Sequence, residues 1–209
     1  MTKLSMYSGE RRDRTGRSVS LPRALPRACA VAVLAAALSA PLAVAANDVC
    51  VAANGAVRHQ SGSATCQASG TGSVAIAHGA DSYAEAINGN RNHSRVHGDA
   101  STAYTGNGDG NTAAVHGDEA YAGSGFGDNN TATATGEDAY ALAINGDDNV
   151  ATADGEYAYA GAGFGDDNTA TASGADTRAE AGGGNGNTAA ATSEGCTATA
   201  VGDGVQASC

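Results

Sequence analysis

From Ser73 onward, small and larger side chains alternate with a period of two, and turn residues interrupt the alternation at regular intervals. Between Asn130 and Asp148, the small positions are Ala132 and Ala134, then Ala139, Ala141 and Ala143. Thr131, Thr133 and Thr135, then Tyr140, Leu142 and Ile144, stand between them. A pleated backbone sends successive side chains to opposite faces, so this pattern predicts two half-buried strands rather than a helix. Gly136-Glu137-Asp138 and Asn145-Gly146-Asp147-Asp148 supply the intervening turns. One unit therefore reads strand, turn, strand, turn.

The unit recurs every 19 residues. Asn92, Asn111, Asn130, Asn149, Asn168 and Asn187 share one position, with Ser73 a period earlier. Glycine recurs at two others, one from Gly79 to Gly174 and one from Gly89 to Gly184. Seven units fit between Ser73 and Val205; Asn54 and Gly70 fall on the same grid and suggest a degenerate eighth. A short fixed period marks a solenoid, in which each unit is stable only against its neighbours. The expected fold is all-β, a parallel two-sheet β-solenoid (β-roll) of about seven coils with a core of alanine and disulfide-stabilised ends. Seven coils stacked at about 4.8 Å form a rod about 30–35 Å long before its caps. The inward positions are alanine apart from Val96, Ser101, Thr105, Ser124 and Cys196, so the two sheets must lie close together. The repeats occupy residues 73–205, with an N-terminal cap at 47–72 and a C-terminal cap at 206–209.

Residues 1–46 read as a signal peptide. A basic stretch (Arg11, Arg12, Arg14, Arg17, Arg23, Arg27) precedes an apolar run from Cys29 to Leu38, then Pro41 and the small-x-small site Ala43-Val44-Ala45. Cleavage is expected after Ala45 or Ala46, leaving no membrane span in the mature chain. The competing reading is an uncleaved anchor from Ala28 to Ala46, barely long enough to span a bilayer. Export to the medium or the cell surface allows disulfides. Cys50 and Cys66 lie near one end of the mature chain and Cys196 and Cys209 at the other, which favours local pairing among the three possible connectivities.

Composition sharpens the picture. Residues 47–209 carry 4 Arg and no Lys against 20 Asp and Glu, a formal net charge of −16. Nucleic acid and anionic membranes are therefore poor partners. Leu, Ile, Val and Phe make up only 15 of these 163 residues. By composition alone that means disorder; the unbroken phase of the repeat overrides it.

Several columns could carry chemistry. The Asn column reads as a ladder stabilising the turns rather than as a ligand-binding row. Asp109, Asp128, Asp147 and Asp166 form an acidic column, with Asp148 and Asp167 beside the last two, and Asp99, Asp118, Glu137 and Glu156 form another. Stacked carboxylates are either solvated edges or weak calcium ligands, since calcium takes six to eight oxygens. His78, His97 and His116 share an outward position, as a metal-binding or pH-sensitive row would, or simply as exposed drift of one repeat position. Tyr83, Tyr121, Tyr140 and Tyr159 form a column interrupted by Thr102, with Phe126 and Phe164 nearby. It is either simple stacking on a sheet or a contact face for a partner, a glycan or a sister subunit. Thr131, Thr133, Thr152, Thr169, Thr171 and Thr188 make a Thr-rich patch broken by Ile76, Arg95 and Val150, similar to the flat arrays of ice-binding β-solenoids. No unit departs from the repeat to build a catalytic pocket, so no enzyme activity and no cofactor beyond calcium are expected.

The stretch Ser73-Val74-Ala75-Ile76-Ala77-His78-Gly79, followed by Tyr83-Ala84-Glu85-Ala86, resembles the head repeats of YadA-like trimeric autotransporter adhesins. The period here is longer than in that family, and no heptad stalk or membrane anchor accompanies the repeats. The resemblance implies a β-roll head, trimeric assembly and binding to host or matrix surfaces. The expected function is thus a secreted or cell-surface structural, adhesion-like protein. A calcium-binding extracellular scaffold and an ice-binding protein are the alternatives.

Overall fold

The computed structural model describes residues 48–209; the expected leader at 1–46 lies outside the described residues. The described residues form eighteen strands and no helix. They are β1 (Val49–Ala53), β2 (Ala56–Ser61), β3 (Thr65–Ala68), β4 (Val74–His78), β5 (Tyr83–Ile87) and β6 (His93–His97). There follow β7 (Thr102–Gly106), β8 (Thr112–His116), β9 (Tyr121–Gly125), β10 (Thr131–Thr135), β11 (Tyr140–Ile144) and β12 (Val150–Asp154). The last six are β13 (Tyr159–Gly163), β14 (Thr169–Ser173), β15 (Arg178–Gly182), β16 (Thr188–Ala191), β17 (Thr197–Val201) and β18 (Gln206–Ser208).

Even-numbered strands from β4 to β18 stack in one sheet, and odd-numbered strands from β3 to β17 stack in the other. Both stacks are parallel, and together they make a β-solenoid of about eight turns. The register follows the repeat without slippage through the middle of the array: Thr131 lies between Thr112 and Val150, and Tyr140 between Tyr121 and Tyr159. Parallel pairing in exact phase puts like residues on top of one another, so each column of the sequence becomes a line along the rod.

The core is the expected one of methyl groups. Ala132, Ala134, Ala141, Ala143, Ala151 and Ala153 are fully buried, as are their equivalents in most other coils. Val115 stacks on Val96 inside the core, a second valine that the sequence reading passed over. Ser94 and Thr105, also buried, face each other across the core with their hydroxyl oxygens 3.0 Å apart. Pairing polar groups in this way removes the cost of burying them.

What closes each coil is the Asn column. All six asparagines are fully buried. Each of the first five accepts, through its side-chain Oδ1, the backbone N–H of the Asn one coil further on, from Asn111 onto Asn92 (2.9 Å) to Asn187 onto Asn168 (3.0 Å), and Asn187 accepts the Val205 N–H. The ladder expected from the sequence is thus present, and its bonds run mainly from main chain to side chain. The reason is that the N–H at this one turn position is buried and bonds no main-chain carbonyl, so the neighbouring side-chain carbonyl oxygen serves it. In the first part of the array the side-chain Nδ2 donates to a glycine carbonyl of the next coil, as from Asn130 to Gly146 (2.7 Å). From Asn168 on, it turns to the preceding Asn instead, and Asn149 Nδ2 at the changeover has no partner. The glycines beside this ladder are steric necessities: a Cβ on Gly146, which sits at φ +145°, would lie 2.0 Å from the Gly165 carbonyl oxygen.

The N-terminal end departs from the repeat. β1 and β2 form an antiparallel hairpin, and β1 pairs antiparallel with β4. The eighth turn therefore begins at Thr65 in β3, not at Asn54. Asn54 instead occupies the hairpin turn, at φ +50°, where its Oδ1 accepts the Gly72 N–H. Reversal of β1 closes the first sheet with the charged, exposed strand β2, which disfavours further strand addition. Cys50 bonds to Cys66 and Cys196 to Cys209, the local pairing expected.

Replacing Asn130 by Ala leaves the buried Asn149 N–H without an acceptor, an expected loss of about 2 kcal/mol in urea unfolding followed by circular dichroism. Opening either disulfide by Cys→Ser substitution of both members releases a loop whose ends are 16 or 13 residues apart, with an expected loss of about 3 kcal/mol in the same measurement.

Candidate functional site

With the interior filled, chemistry is confined to the two outer faces and the turn edges. On the outer face of the second sheet, Tyr121, Tyr140 and Tyr159 come into direct stacking. Ring centroids are 4.9 Å apart for the first pair and 5.4 Å for the second, with planes within 16° and 4° of parallel. The Arg178 guanidinium caps the row 4.3 Å from the Tyr159 centroid and is ion-paired with Glu180. Tyr83 stands apart, separated from the stack by Thr102. Of the four expected tyrosines, three form one continuous surface.

Local sequence explains how the rings lie. In Tyr121-Ala122-Gly123 and Tyr159-Ala160-Gly161 the ring folds down over the glycine two residues on. A Cβ on Gly123 would sit 2.9 Å from Tyr121 Cε1, and one on Gly161 would sit 3.3 Å from Tyr159 Cε1. Where leucine takes that place, at Leu142, Tyr140 is the most exposed ring of the stack, at 37%. Burial first, and then the neighbouring phenols, push the Tyr121 and Tyr140 hydroxyls above their ordinary value. Tyr83 is pushed up to about 12 by burial and by its hydrogen bond to Glu85.

Phe126 and Phe164 complete this face, and their backbone is informative. Both sit in the left-handed region, at φ +57° and +56°, at a turn position held elsewhere by Asn107, Asn145 and Gly183. A bulky side chain costs about 1 kcal/mol there relative to Gly or Asn. Both rings are also exposed, by 56% and 72%. Stability would favour Asn or Gly. Beside Phe164 the sheet surface falls into a trough of about 240 Å³, floored by Gly161, Gly163 and Gly182 and walled by Leu142, Ile144 and Val201. The sequence reading did not find this trough, although its signal is present: glycine at two consecutive outward positions of β13, Gly161 and Gly163, and at the last of β15, Gly182.

The acidic column has a structural task. The Asp128 carboxylate Oδ1 accepts the Asp109 backbone N–H (2.7 Å), that of Asp147 accepts the Asp128 N–H (2.7 Å), and that of Asp166 accepts the Asp147 N–H (2.9 Å). Asn90 N–H donates in the same way to Asp109, and Asp166 N–H to Asn185. Asn and Asp share this column because the turn N–H needs an acceptor oxygen, which either residue supplies. Asp99 and Asp118 do the same at the other turn for Ala80 and Asp99. His78, His97 and His116 do line up, with centroids 6.3 and 6.2 Å apart, beside Asp48, Asp99 and Asp118. Among the described residues, no three of His, Cys, Asp and Glu converge as a metal ion would require. The Thr patch occupies the outer face of the first sheet, with Thr133, Thr152 and Thr171 in one unbroken column and Val150 interrupting the other.

Comparison with protein-family models, with curated proteins and with solved structures finds no match to this chain.

Replacing Asp147 by Asn keeps the acceptor and is expected to change stability by less than about 0.5 kcal/mol, whereas Asp147→Ala loses about 1 kcal/mol or more in chemical denaturation. The Tyr83 phenol, followed by its ultraviolet absorbance, is expected to ionise near pH 12 and at lower pH in Glu85→Gln. Because its folded pKa is raised, the stability this tyrosine contributes is whole below pH 10 and lost between about 10 and 12.

Proposed function

We propose that this chain is an exported structural module, adhesion-like and without catalytic activity, that works at a cell surface or in the medium. Its contact face is the outer surface of the second sheet. The observation that carries the reading is the aromatic surface itself: three stacked tyrosines flanked by two phenylalanines held exposed in a backbone conformation that disfavours them. Exposed aromatic groups on a rigid sheet give contact area at little entropic cost, which suits a surface, matrix or glycan ligand or a sister subunit. The two disulfides suit an oxidising compartment, in keeping with the leader pattern of residues 1–46. The repeating Asn and Asp side chains are engaged between coils, which favours a scaffold over a reaction centre.

Tyr140→Ser with Tyr159→Ser is the direct test. Both residues face outward, so circular dichroism and melting are expected to change little. Retention on cells or matrix-coated surfaces is expected to fall at least about tenfold, as loss of central aromatic contacts does. Unchanged retention sinks this face as the binding surface.

A further inference from the structure

The contact face has a property that an arbitrary ligand would not need: it complements itself. Take an axis parallel to the strands, lying just above the sheet and midway between β11 and β13. Rotation by a half-turn about it reverses the order of the coils and keeps each position along the strand. The register then sets Leu142 opposite Gly161, Ile144 opposite Gly163 and Phe126 opposite Gly183. Tyr140 meets Tyr159, and Tyr121 meets Arg178. Bulky residues on one copy meet the glycine trough on the other, and a cation meets an aromatic face. The neighbouring axis, between β9 and β11, also sets Leu142 and Ile144 opposite glycines, Gly123 and Gly125, but it brings Glu85 opposite Glu180 and turns the trough toward Tyr104 and Gly106.

We propose that the partner of this face is a second copy of the same chain, packed sheet to sheet about that twofold axis. This rests on the reading of the face as a contact surface and specifies its occupant. Charge supports the choice. Residues 47–209 carry a net −16, so two copies repel through most contacts. The outward positions of β7, β9, β11, β13 and β17 hold no charged residue, and β15 adds only the mutually neutralising Arg178 and Glu180. Size sets the strength. Six strands about 4.8 Å apart and about 17 Å long present about 500 Å² per copy, roughly 1,000 Å² in total, at the lower end of specific interfaces. A reversible dimer with micromolar affinity is therefore expected, and an isologous contact of this kind closes at two copies.

Cysteine placement reads the register. Thr102 and Thr197 come opposite each other across the proposed axis, while each is about 24 Å from its own equivalent in the partner copy. Thr102→Cys and Thr197→Cys proteins, each treated with a short bis-maleimide that leaves the native disulfides intact, are expected to stay uncrosslinked alone and to form covalent dimers when mixed. Gly161→Glu supplies the second arm. Glu85 and Glu180 occupy the same position in β5 and β15, so the coil accommodates the side chain, and dilute melting is expected to be unchanged. Filling the trough with an unpaired charge is expected to weaken dimerisation by at least about 100-fold in sedimentation equilibrium.

A single-chain mass at about 100 µM, above the affinity expected of an interface this size, overturns the proposal. So does a three-chain mass, or crosslinking equally efficient in the single and mixed samples. If the protein is monomeric and Tyr140→Ser with Tyr159→Ser still abolishes surface retention, the face keeps its contact role and the second copy is not its occupant. If retention is also unaffected, both readings fall.

Discussion

One interaction sets the geometry of this solenoid: a side-chain oxygen on one coil accepting a turn N–H of an adjacent coil. It occurs in the buried Asn column and again in the Asn/Asp column at the turn edge. Strand N–H groups, and turn N–H groups such as those of Gly127 and Asn129, find main-chain carbonyls on the neighbouring coil when coils stack, but those of Asp128 and Asn130 do not. A buried N–H without a partner costs roughly 1–3 kcal/mol, and the price recurs at every coil. The acceptor must therefore return at the same place each turn, which makes the 19-residue spacing hard to change within the array. It shortens to 18 only near the ends, where Asp81 N–H donates to Ser63 and Val205 N–H donates to Asn187.

The same constraint directs where larger side chains go. Two sheets separated by alanine methyls leave no room for aromatic rings, and the turns hold Gly, Asn and Asp by steric and hydrogen-bonding need. Tyrosine, phenylalanine and leucine are left on the outer surface. Parallel, in-phase stacking then converts a residue repeated at one position into a line of touching side chains. Tyr121, Tyr140 and Tyr159 are 19 residues apart in the chain and in ring contact in the fold. Most acidic charge is held at the turn edges, which leaves the middle of the aromatic sheet free to approach another surface.

The fold was largely legible because the signals that define it are periodic. Alternating Ala with Thr or Tyr marked the strands, Gly and Asn marked the turns, and cysteines at the two ends marked the closures. The hairpin at β1 and β2 was not legible from that grid: Asn54 keeps phase with the Asn column while the backbone around it reverses direction. The acceptor role of the acidic columns was hidden for a related reason. Their charge drew attention to metal ions, whereas the presence of Asn90 and Asn185 in the same column as Asp109, Asp128, Asp147 and Asp166 pointed to a shared acceptor oxygen.

The sequence by itself determined the period, the class of fold, the identity of the inward methyls and the list of residues in each column, because all of these follow from order along one chain. The tertiary structure decided which neighbours in a column touch, that Tyr83 is isolated from the tyrosine stack, that Phe126 and Phe164 are held in left-handed turns, and that glycines from separate coils merge into one trough. Those properties depend on the distance between strands, the tilt of a ring and the sign of a backbone angle. None of the three is encoded by position in the repeat, and each is fixed only when one coil comes to rest on the next.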